Sequence, residues 1–192
     1  NSIWGKLGDD VINGYAGGDD LNGEEGSDTL SYAGSNAGVN VDIANNVASG
    51  GYAQGDEIKN FEHLIGSDAN DTLIGTSGTN TLNGGSGDDT LVTNGGADSL
   101  VGHVGNDTAV VDFARWSSSF NFPSLSSGTI TSSSNTTVTL TGVEGRAFRE
   151  VTHSGEFVAG QAYYQDVNGD GKMDVTLQDS NLKFWLSTAG GG

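Results

Sequence analysis

Cysteine is absent from the chain, so no disulfide can stabilise its fold. Basic residues are scarce: 7 Lys and Arg stand against 25 Asp and Glu, a formal net charge of −18. Such a charge argues against nucleic acid or an anionic membrane surface as a partner. Long apolar runs are missing as well, and we expect no membrane-spanning helix. No signal peptide precedes Asn1, so we expect a part of a longer protein or an export route without a cleaved leader.

Acidic residues and glycines concentrate in the first part of the chain. Residues 1–110 hold 17 of the 25 acidic residues and 22 of the 32 glycines, with Lys6 and Lys59 as their basic side chains. A compact state of this segment repels itself unless cations neutralise the carboxylates. We therefore predict a fold that a bound metal stabilises in place of disulfides.

A nine-residue repeat, G-x-x-G-x-D-x-U-x with U apolar, explains this composition. Three units run without a break over residues 5–31, and five more run over residues 66–110. The sixth positions carry an acid or amide: Asp10, Asp19, Asp28, Asp71, Asn80, Asp89, Asp98 and Asp107. The eighth positions are apolar: Ile12, Leu21, Leu30, Leu73, Leu82, Leu91, Leu100 and Ala109. The same register places Asn1 at a sixth position and Ile3 at an eighth.

Each unit predicts a turn followed by a very short strand. Six residues rich in Gly, Asp, Asn and Ser favour the turn, and the next three favour a strand with one inward apolar side chain. Burying one leucine contributes roughly 2 kcal/mol, whereas ordering each residue costs about 1 to 2 kcal/mol of backbone entropy. We therefore expect these coils to fold only when something binds their turns.

The pattern resembles the RTX family of hemolysin-type calcium-binding repeats, whose consensus is G-G-x-G-x-D-x-U-x. The resemblance implies an all-β fold: a right-handed parallel β-roll (β-solenoid) with two units per turn and a C-terminal β cap. It implies Ca²⁺ as the cofactor, roughly four to six ions held by oxygen ligands. Sixth-position residues 18 apart then stack: Asp10 with Asp28, Asp71 with Asp89 and Asp107, Asn80 with Asp98, and Asp19 with Asn1.

Backbone carbonyls complete each calcium shell in this family. The resemblance implies carbonyls from the first and third positions of one coil and the second and fourth positions of the next. Transferred to this sequence, these are Gly5, Leu7, Glu24 and Gly26 around Asp10 and Asp28; Gly66, Asp68, Gly85 and Gly87 around Asp71 and Asp89; and Gly84, Ser86, His103 and Gly105 around Asp89 and Asp107. Asn80 removes a charge and Thr93 replaces an opening glycine, so we expect the Asn80/Asp98 site to be weak or empty.

Two segments depart from the repeat. Residues 32–65 form an insert that resembles the linker between RTX blocks, and we expect its strands to continue the solenoid. Within it, Val39, Val41 and Ile43 alternate with polar residues and predict a half-buried strand, while residues 45–55 look rich in loops. Residues 111–192 are predicted to cap the β-roll of residues 1–110, with strands near 109–113, 119–122, 129–132 and 136–140.

A second calcium signal lies near the C-terminus. The pattern D-x-N-x-D-G-x-x-D supplies the candidate ligands Asp166, Asn168, Asp170, Lys172 and Asp174. Leu177 stands where an EF-hand loop has glutamate, and the flanks look like strands. The stretch resembles the FG-GAP or VCBS-type calcium loop; a solvated acidic hairpin without metal is the alternative.

No catalytic constellation is visible: H-E-x-x-H, G-x-S-x-G and the P-loop are missing, and the three histidines lie far apart. We predict a non-catalytic, monomeric calcium-binding module of a secreted bacterial protein, outside the cell or at its surface. The resemblance implies type I secretion and folding on extracellular calcium. One alternative is an adhesin module that binds glycans or cell surfaces through Trp116, Tyr163, Tyr164 and Trp185. The other is an accessory domain of a secreted protease, lipase or epimerase.

Overall fold

The fold is taken from a computed structural model. It describes residues 1–112 continuously and, beyond them, residues 119–121, 127–131, 137–143, 145–151, 157–158, 161–165, 174–178 and 183–186. Side chains are described for residues 1–111 and 137–143. In this part of the chain every regular element is a β-strand except one 3-10 turn, Gly51–Ala53. No helix in the described ranges is long and apolar enough to cross a membrane.

The strands of the two repeat blocks and the insert are two to six residues long, as a nonapeptide period requires. They are β1 Ser2–Trp4, β2 Val11–Ile12, β3 Asp20–Asn22, β4 Thr29–Ser31, β5 Asn40–Asp42, β6 Val47–Ser49, β7 Glu57–Lys59, β8 His63–Ile65, β9 Thr72–Ile74, β10 Thr81–Ser86, β11 Thr90–Val92, β12 Ser99–Val104 and β13 Thr108–Asp112. The later strands are β14 Ser119–Asn121, β15 Ser127–Thr131, β16 Thr137–Thr141, β17 Gly145–Val151, β18 Phe157–Val158, β19 Gln161–Gln165, β20 Asp174–Gln178 and β21 Lys183–Leu186.

Successive repeat strands alternate between separate parallel sheets. One sheet has the order β2-β4-β8-β10-β12-β16, extended by β15 and β14. The strands between them form a sheet β1-β3-β7 and a sheet β5-β9-β11-β13-β17, with β6 and β18 at the ends of the latter. Two strands per coil and parallel pairing between coils are the features of a parallel β-roll, so the predicted fold class is confirmed.

The eighth position of each repeat builds the core. Leucines at this position pair in register from coil to coil, for example Leu82 with Leu100, and Leu64 of the insert pairs with Leu30 in the same way. Each of these four leucines is 0% exposed, so one apolar column runs along the roll between the sheets. Ile3 pairs with Leu21, which confirms the repeat register before the first complete unit.

The insert, residues 32–65, continues the solenoid but not in chain order. β8 lies between β4 and β10, and β7 pairs with β3. β5 instead pairs in parallel with β9, a later strand, and β6 turns back against β5 in an antiparallel hairpin. The half-buried strand predicted from the alternation around Val41 is β5 with its flanks. The loop expected at residues 45–55 contains β6 and the 3-10 turn instead, because the hairpin covers the edge of β5.

Parallel stacking continues past residue 110. β16 pairs in parallel with β12, and β17 pairs in parallel with β13. The strands predicted near 109–113, 119–122, 129–132 and 136–140 correspond to β13, β14, β15 and β16, shifted by one or two residues. Antiparallel pairing then begins with β14, β15 and β18, and β19, β20 and β21 form a separate antiparallel sheet. The division of the chain at residue 110 stays a prediction.

Candidate metal centre

The sixth-position side chains stack along the roll, one coil above the next. In each step one carboxylate oxygen, Oδ1, accepts the backbone N–H of the sixth-position residue one coil earlier. The donor and acceptor pairs are Asp10 and Asp28 at 2.8 Å, Asp71 and Asp89 at 2.8 Å, Asp89 and Asp107 at 2.9 Å, and Asn80 and Asp98 at 2.8 Å. The backbone nitrogen of Asn1 donates to Asp19 Oδ1 in the same way. The structure therefore brings together every pair that the 18-residue spacing predicts.

The second oxygen of these carboxylates is buried without a hydrogen bond. Within the described residues this holds for Oδ2 of Asp10, Asp19, Asp28, Asp89 and Asp98. Four of these side chains are 4% exposed or less, and Asp28 is fully buried. A buried carboxylate oxygen without a partner costs several kcal/mol. A repeated set of such oxygens is the arrangement that a bound cation would satisfy.

Burial also disfavours the charged form of these carboxyls in the metal-free fold. It raises the pKa of Asp89 to about 7, with smaller contributions from the carboxylates of Asp71 and Asp107. It likewise raises the pKa of Asp98 to about 7 and raises the pKa of Asp71. In each case loss of hydration is the largest cause, so a cation that restores favourable charge contacts would lower these pKa values again.

The opening glycine of each unit leaves room for the carboxylate. A Cβ added to Gly84 would overlap Asp89 Oδ2. A Cβ on Gly66 would overlap Asp71 Oδ2 and lie 2.5 Å from the carbonyl oxygen of Gly84 in the next coil. The carboxylate and the carbonyl therefore face the same small volume, which only glycine leaves open. Carboxylate and carbonyl oxygens are the ligands that Ca²⁺ prefers.

The backbone of the turns has positive φ at the second and fourth positions. Gly85 and Gly87 adopt φ of 108° and 115° there, as glycine allows. Lys6, Glu24 and His103 adopt φ of 81°, 69° and 73° at second positions, although they carry side chains. The positive φ of these residues was not predicted, although they stand where the repeat consensus has a second glycine.

Stacked turns pair through their backbones. Gly85 pairs with His103 and Ser86 with Val104, while Leu7 forms an isolated bridge with Glu25. The segments predicted to supply carbonyl ligands therefore lie side by side in adjacent coils. The described residues contain no group of three or more His, Cys, Asp or Glu side chains that could hold a metal. A cation here would depend on main-chain oxygens for most of its shell.

Two sixth-position residues differ from the rest because protein groups satisfy them. Ser67 donates its N–H to Asp71 Oδ2 at 2.6 Å and its hydroxyl to Oδ1 at 2.9 Å. The Asn80 amide donates to the carbonyl of Glu62 at 2.8 Å and to Thr76 Oγ1 at 3.0 Å. The geometry thus favours cation binding at the Asp10/Asp28 and Asp89/Asp107 pairs over the pairs that begin at Asp71 or Asn80.

A second stack, at the fifth position, was not predicted. Asp9 Oδ1 accepts the N–H of Ser27 at 2.9 Å, and Asp88 Oδ1 accepts that of Asn106 at 2.9 Å. Here the side chain binds the coil that follows, whereas a sixth-position side chain binds the coil that precedes. These exposed residues fix the spacing of adjacent turns from the solvent side.

The insert supplies two further residues that act as sixth-position acids, and the nine-residue spacing does not predict them. Asp56 Oδ1 accepts the N–H of Asp19 at 2.9 Å, and Glu62 Oε2 accepts the N–H of Asp28 at 2.8 Å. Asp56 Oδ2 accepts the hydroxyl of the fully buried Tyr32 at 2.9 Å, and burial raises the pKa of Tyr32. The sequence does carry one sign of these residues, an acid two positions before an apolar residue. Asp56 precedes Ile58 and Glu62 precedes Leu64 in this way, but neither pair keeps the nine-residue spacing.

His63 is held by its neighbours in a way that does not suit nucleophilic catalysis. The N–H of Thr81 donates to Nδ1 at 2.9 Å, so the proton of the neutral ring is on Nε2. Nε2 lies 2.9 Å from Ser27 Oγ, and it therefore donates to that hydroxyl. A serine nucleophile needs a histidine that accepts its proton, which is the reverse arrangement.

The predicted C-terminal calcium loop lies mostly outside the described residues. Asp166, Asn168, Asp170 and Lys172 fall there, as does Trp116. Asp174 opens β20 and pairs with Gln165 at the end of β19. The flanks of the loop are strands, as predicted, and they pair in the antiparallel direction. Tyr163 and Tyr164 lie in β19 and Trp185 in β21, where only the backbone is described.

Parallel coils, an apolar column and stacked buried carboxylates define a calcium-binding β-roll. Comparison with protein families matches the RTX calcium-binding nonapeptide repeat, four copies, to residues 1–30, 61–91 and 74–109, less than half of the chain. Residues 1–109 therefore carry RTX repeats, and RTX repeats bind calcium. A comparison with curated protein sequences gives no match. The resemblance of residues 166–174 to an FG-GAP or VCBS-type loop stays a prediction.

Proposed function

We propose that this chain is a non-catalytic module of a secreted bacterial protein, and that Ca²⁺ folds it outside the cell. The observation that carries the proposal is the row of buried Oδ2 atoms without hydrogen bonds, of which Asp28 and Asp89 are the most enclosed. These carboxylates cannot be both ionised and buried away from water unless a cation binds beside them.

The proposed ligand sets follow from the stacking. Asp10 and Asp28 hold one ion with carbonyls of the turns that begin at Gly5 and Gly23. Asp89 and Asp107 hold another with carbonyls of the turns that begin at Gly84 and Gly102. Asp71 and Asn80 contribute more weakly, because Ser67 and Glu62 already satisfy part of their hydrogen-bonding capacity.

Linkage gives calcium enough free energy to decide whether the module folds. An ion present at ten times its Kd adds about 1.4 kcal/mol, so about five ions add about 7 kcal/mol. That sum equals the whole stability of many domains. Where calcium is scarce, as in the cytosol, the acidic array stays unfolded and can pass through a type I export channel. Where calcium is abundant, the coils fold.

Far-UV circular dichroism in EGTA and in millimolar CaCl₂ tests the proposal, with MgCl₂ at equal ionic strength as the control. We expect strand signal with calcium, little with EGTA and little with magnesium, because Mg²⁺ demands a smaller octahedral shell. Equal strand content in EGTA and in calcium would refute calcium-driven folding. Equal rescue by magnesium would show that general charge screening, and not a specific site, drives it.

A further inference from the structure

A short turn within the insert, residues 60–62, joins β7 to β8. β7 pairs with β3 of the first block, and β8 lies between β4 of the first block and β10 of the second. Inward apolar residues of successive repeat strands are nine residues apart, whereas Ile58 of β7 and Leu64 of β8 are six apart, so this turn is three residues short. Phe61 is buried in the core, and the Asn60 amide donates to Asn22 Oδ1 at 2.8 Å. The core and the neighbouring coil therefore fix the position of this turn although it lacks the repeat sequence.

Glu62 takes the place of a sixth-position aspartate. Its Oε2 accepts the N–H of Asp28 at 2.8 Å, the same distance at which Asp28 accepts the N–H of Asp10. The extra methylene of glutamate lets the carboxylate reach this position from a shorter turn. The stack of Asp10 and Asp28 thus continues into the insert.

Asn60 takes the place of an opening glycine. A Cβ on Gly23 would overlap the carbonyl oxygen of Asn60 and lie 2.5 Å from Asp28 Oδ2. In the repeat proper, a Cβ on Gly5 would lie 2.6 Å from the carbonyl oxygen of Gly23 and 2.8 Å from Asp10 Oδ2. Asn60 reaches this orientation with φ of 56°. The same pair of oxygens, one carbonyl and one carboxylate, therefore faces one point in both places.

Asp28 supplies an independent sign of a ligand. Its side chain is 0% exposed, and its Oδ2, which faces the Asn60 carbonyl, accepts no hydrogen bond from the described residues. A groove of about 610 Å³ lies beside Asn60. The groove is lined by Lys6, Leu7, Asn22, Glu24, Glu25 and Asn60. Asn60, which is exposed, is the proposed ligand residue that borders this groove, so water that completes a coordination shell would enter past it.

We propose that Asp28, Glu62 and the Asn60 carbonyl hold a further divalent cation at the junction of the two blocks. The site rests on the proposed calcium-dependent folding, but it joins a repeat aspartate, Asp28, to the insert and uses a glutamate. It has fewer protein carbonyls than a repeat site and a solvent-facing side, so it binds calcium more weakly and exchanges it faster. Its ion bridges the first block to the coil that leads into the second.

Isothermal titration of the full chain with CaCl₂ tests the site, with Glu62→Gln against Glu57→Gln. Glutamine in place of Glu62 keeps an oxygen that can accept the Asp28 N–H and loses only the charge, and Glu57 is an exposed carboxylate nearby. We expect E62Q to bind one ion fewer, or to show one step weakened at least tenfold, while E57Q matches the wild type. Circular dichroism at saturating calcium checks that each variant is folded.

E62Q with the stoichiometry and affinities of E57Q would overturn the junction site. Should E62Q not fold, Asp28→Asn replaces it: Asp28 is shared between the Asp10 step and the junction, so we expect two ions fewer. A loss of only one ion in D28N would also overturn the site. Failure of the proposed function looks different, because the wild-type chain itself would then bind no calcium.

Discussion

Asp89→Asn is predicted to have opposite effects on stability with and without calcium. Asp89 lies at the centre of its stack, where its Oδ1 accepts the N–H of Asp71 and its own N–H donates to Asp107. Asparagine keeps the oxygen that accepts from Asp71 and removes the charge. The substitution therefore separates the role of this residue as a hydrogen-bond acceptor from its role as a charged ligand.

Without calcium, the substitution should stabilise the fold. Burial raises the pKa of Asp89 to about 7 from an ordinary value of 3.8. Above pH 7 this rise corresponds to a penalty of about 4 kcal/mol for the ionised carboxylate in the folded state. The new amide nitrogen, buried where Oδ2 was, costs about 1 to 3 kcal/mol if it lacks an acceptor. A net gain of about 1 to 3 kcal/mol remains.

With calcium, the same substitution should destabilise the fold. Asp89 borders two proposed shells, one toward Asp71 and one toward Asp107. At a hundred times the Kd each ion adds about 2.7 kcal/mol, so losing both removes about 5 kcal/mol. The calcium-free gain of about 1 to 3 kcal/mol offsets part of this, and a net loss of about 2 to 4 kcal/mol remains. Urea unfolding followed by circular dichroism, in calcium and in EGTA with an osmolyte that populates the folded state, measures both free energies of unfolding.

Asp88→Asn is the matched control. Asp88 is the exposed neighbour, its Oδ1 accepts the N–H of Asn106 at 2.9 Å, and asparagine preserves that acceptor. The charge change is identical, so D88N should shift both free energies by less than about 0.5 kcal/mol. Equal effects of D88N and D89N would refute the reasoning. So would a D89N chain that loses as much stability in EGTA as in calcium.

Three further predictions concern other parts of the roll. The calcium-free fold should gain stability as pH falls from about 8 to about 5, because burial raises the pKa values of Asp89 and Asp98 to about 7. In this window the folded state binds more protons than the unfolded state, so stability is lost as pH rises through the folded pKa. Circular dichroism across pH, in EGTA with the osmolyte that populates the folded state, measures it. His103→Gly should stabilise the roll by about 1 kcal/mol in calcium, since His103 has φ of 73° and glycine relieves that strain; urea unfolding measures it. Tyr32→Phe should destabilise it by about 1 to 3 kcal/mol in the same assay, because Asp56 Oδ2 loses its donor inside the core.

Each of these has an outcome that would contradict it. A calcium-free chain that loses strand signal on acidification would show that the buried carboxyls are not the groups that limit its stability. For His103, the control is Val104→Gly at an exposed strand position, which should destabilise; equal effects would mean that the turn is not strained. Unchanged stability of Y32F would show that water replaces the tyrosine hydroxyl.

The periodic part of the fold could be predicted from sequence because one rule repeats there. A leucine or isoleucine every ninth residue fixes which side chain points inward, and an acid two residues earlier fixes the turn. From this rule follow the two-strand coil, the pairing of Leu82 with Leu100 and the stacking of Asp10 on Asp28. The conformation of the coil is local, so the spacing alone determines it.

The remainder depends on contacts between coils, which spacing does not encode. Glu62 was missed because its turn is three residues short, and its place in the stack is visible only beside Asp28. Ser67 and Glu24 both stand at the second position of a repeat unit. Ser67 donates its N–H to Asp71, whereas Glu24 adopts positive φ. That choice depends on side-chain hydrogen bonds within the turn. The hairpin of β5 and β6 was missed for a third reason, since its partner β9 lies in the other block.

The pairing of β5 with the later strand β9 has a consequence for the order in which the coils fold. Most coils of a solenoid can be added one after another, each on the surface left by the last. β5 cannot, because the N–H of Val39 bonds Asp71, which lies 32 residues later in the chain. A growing or partly exported chain that ends before β9 leaves Val41 and Ile43 without the strand that pairs with β5. The insert thus delays closure of the first block until the second has begun, and it makes assembly of the two blocks a single event.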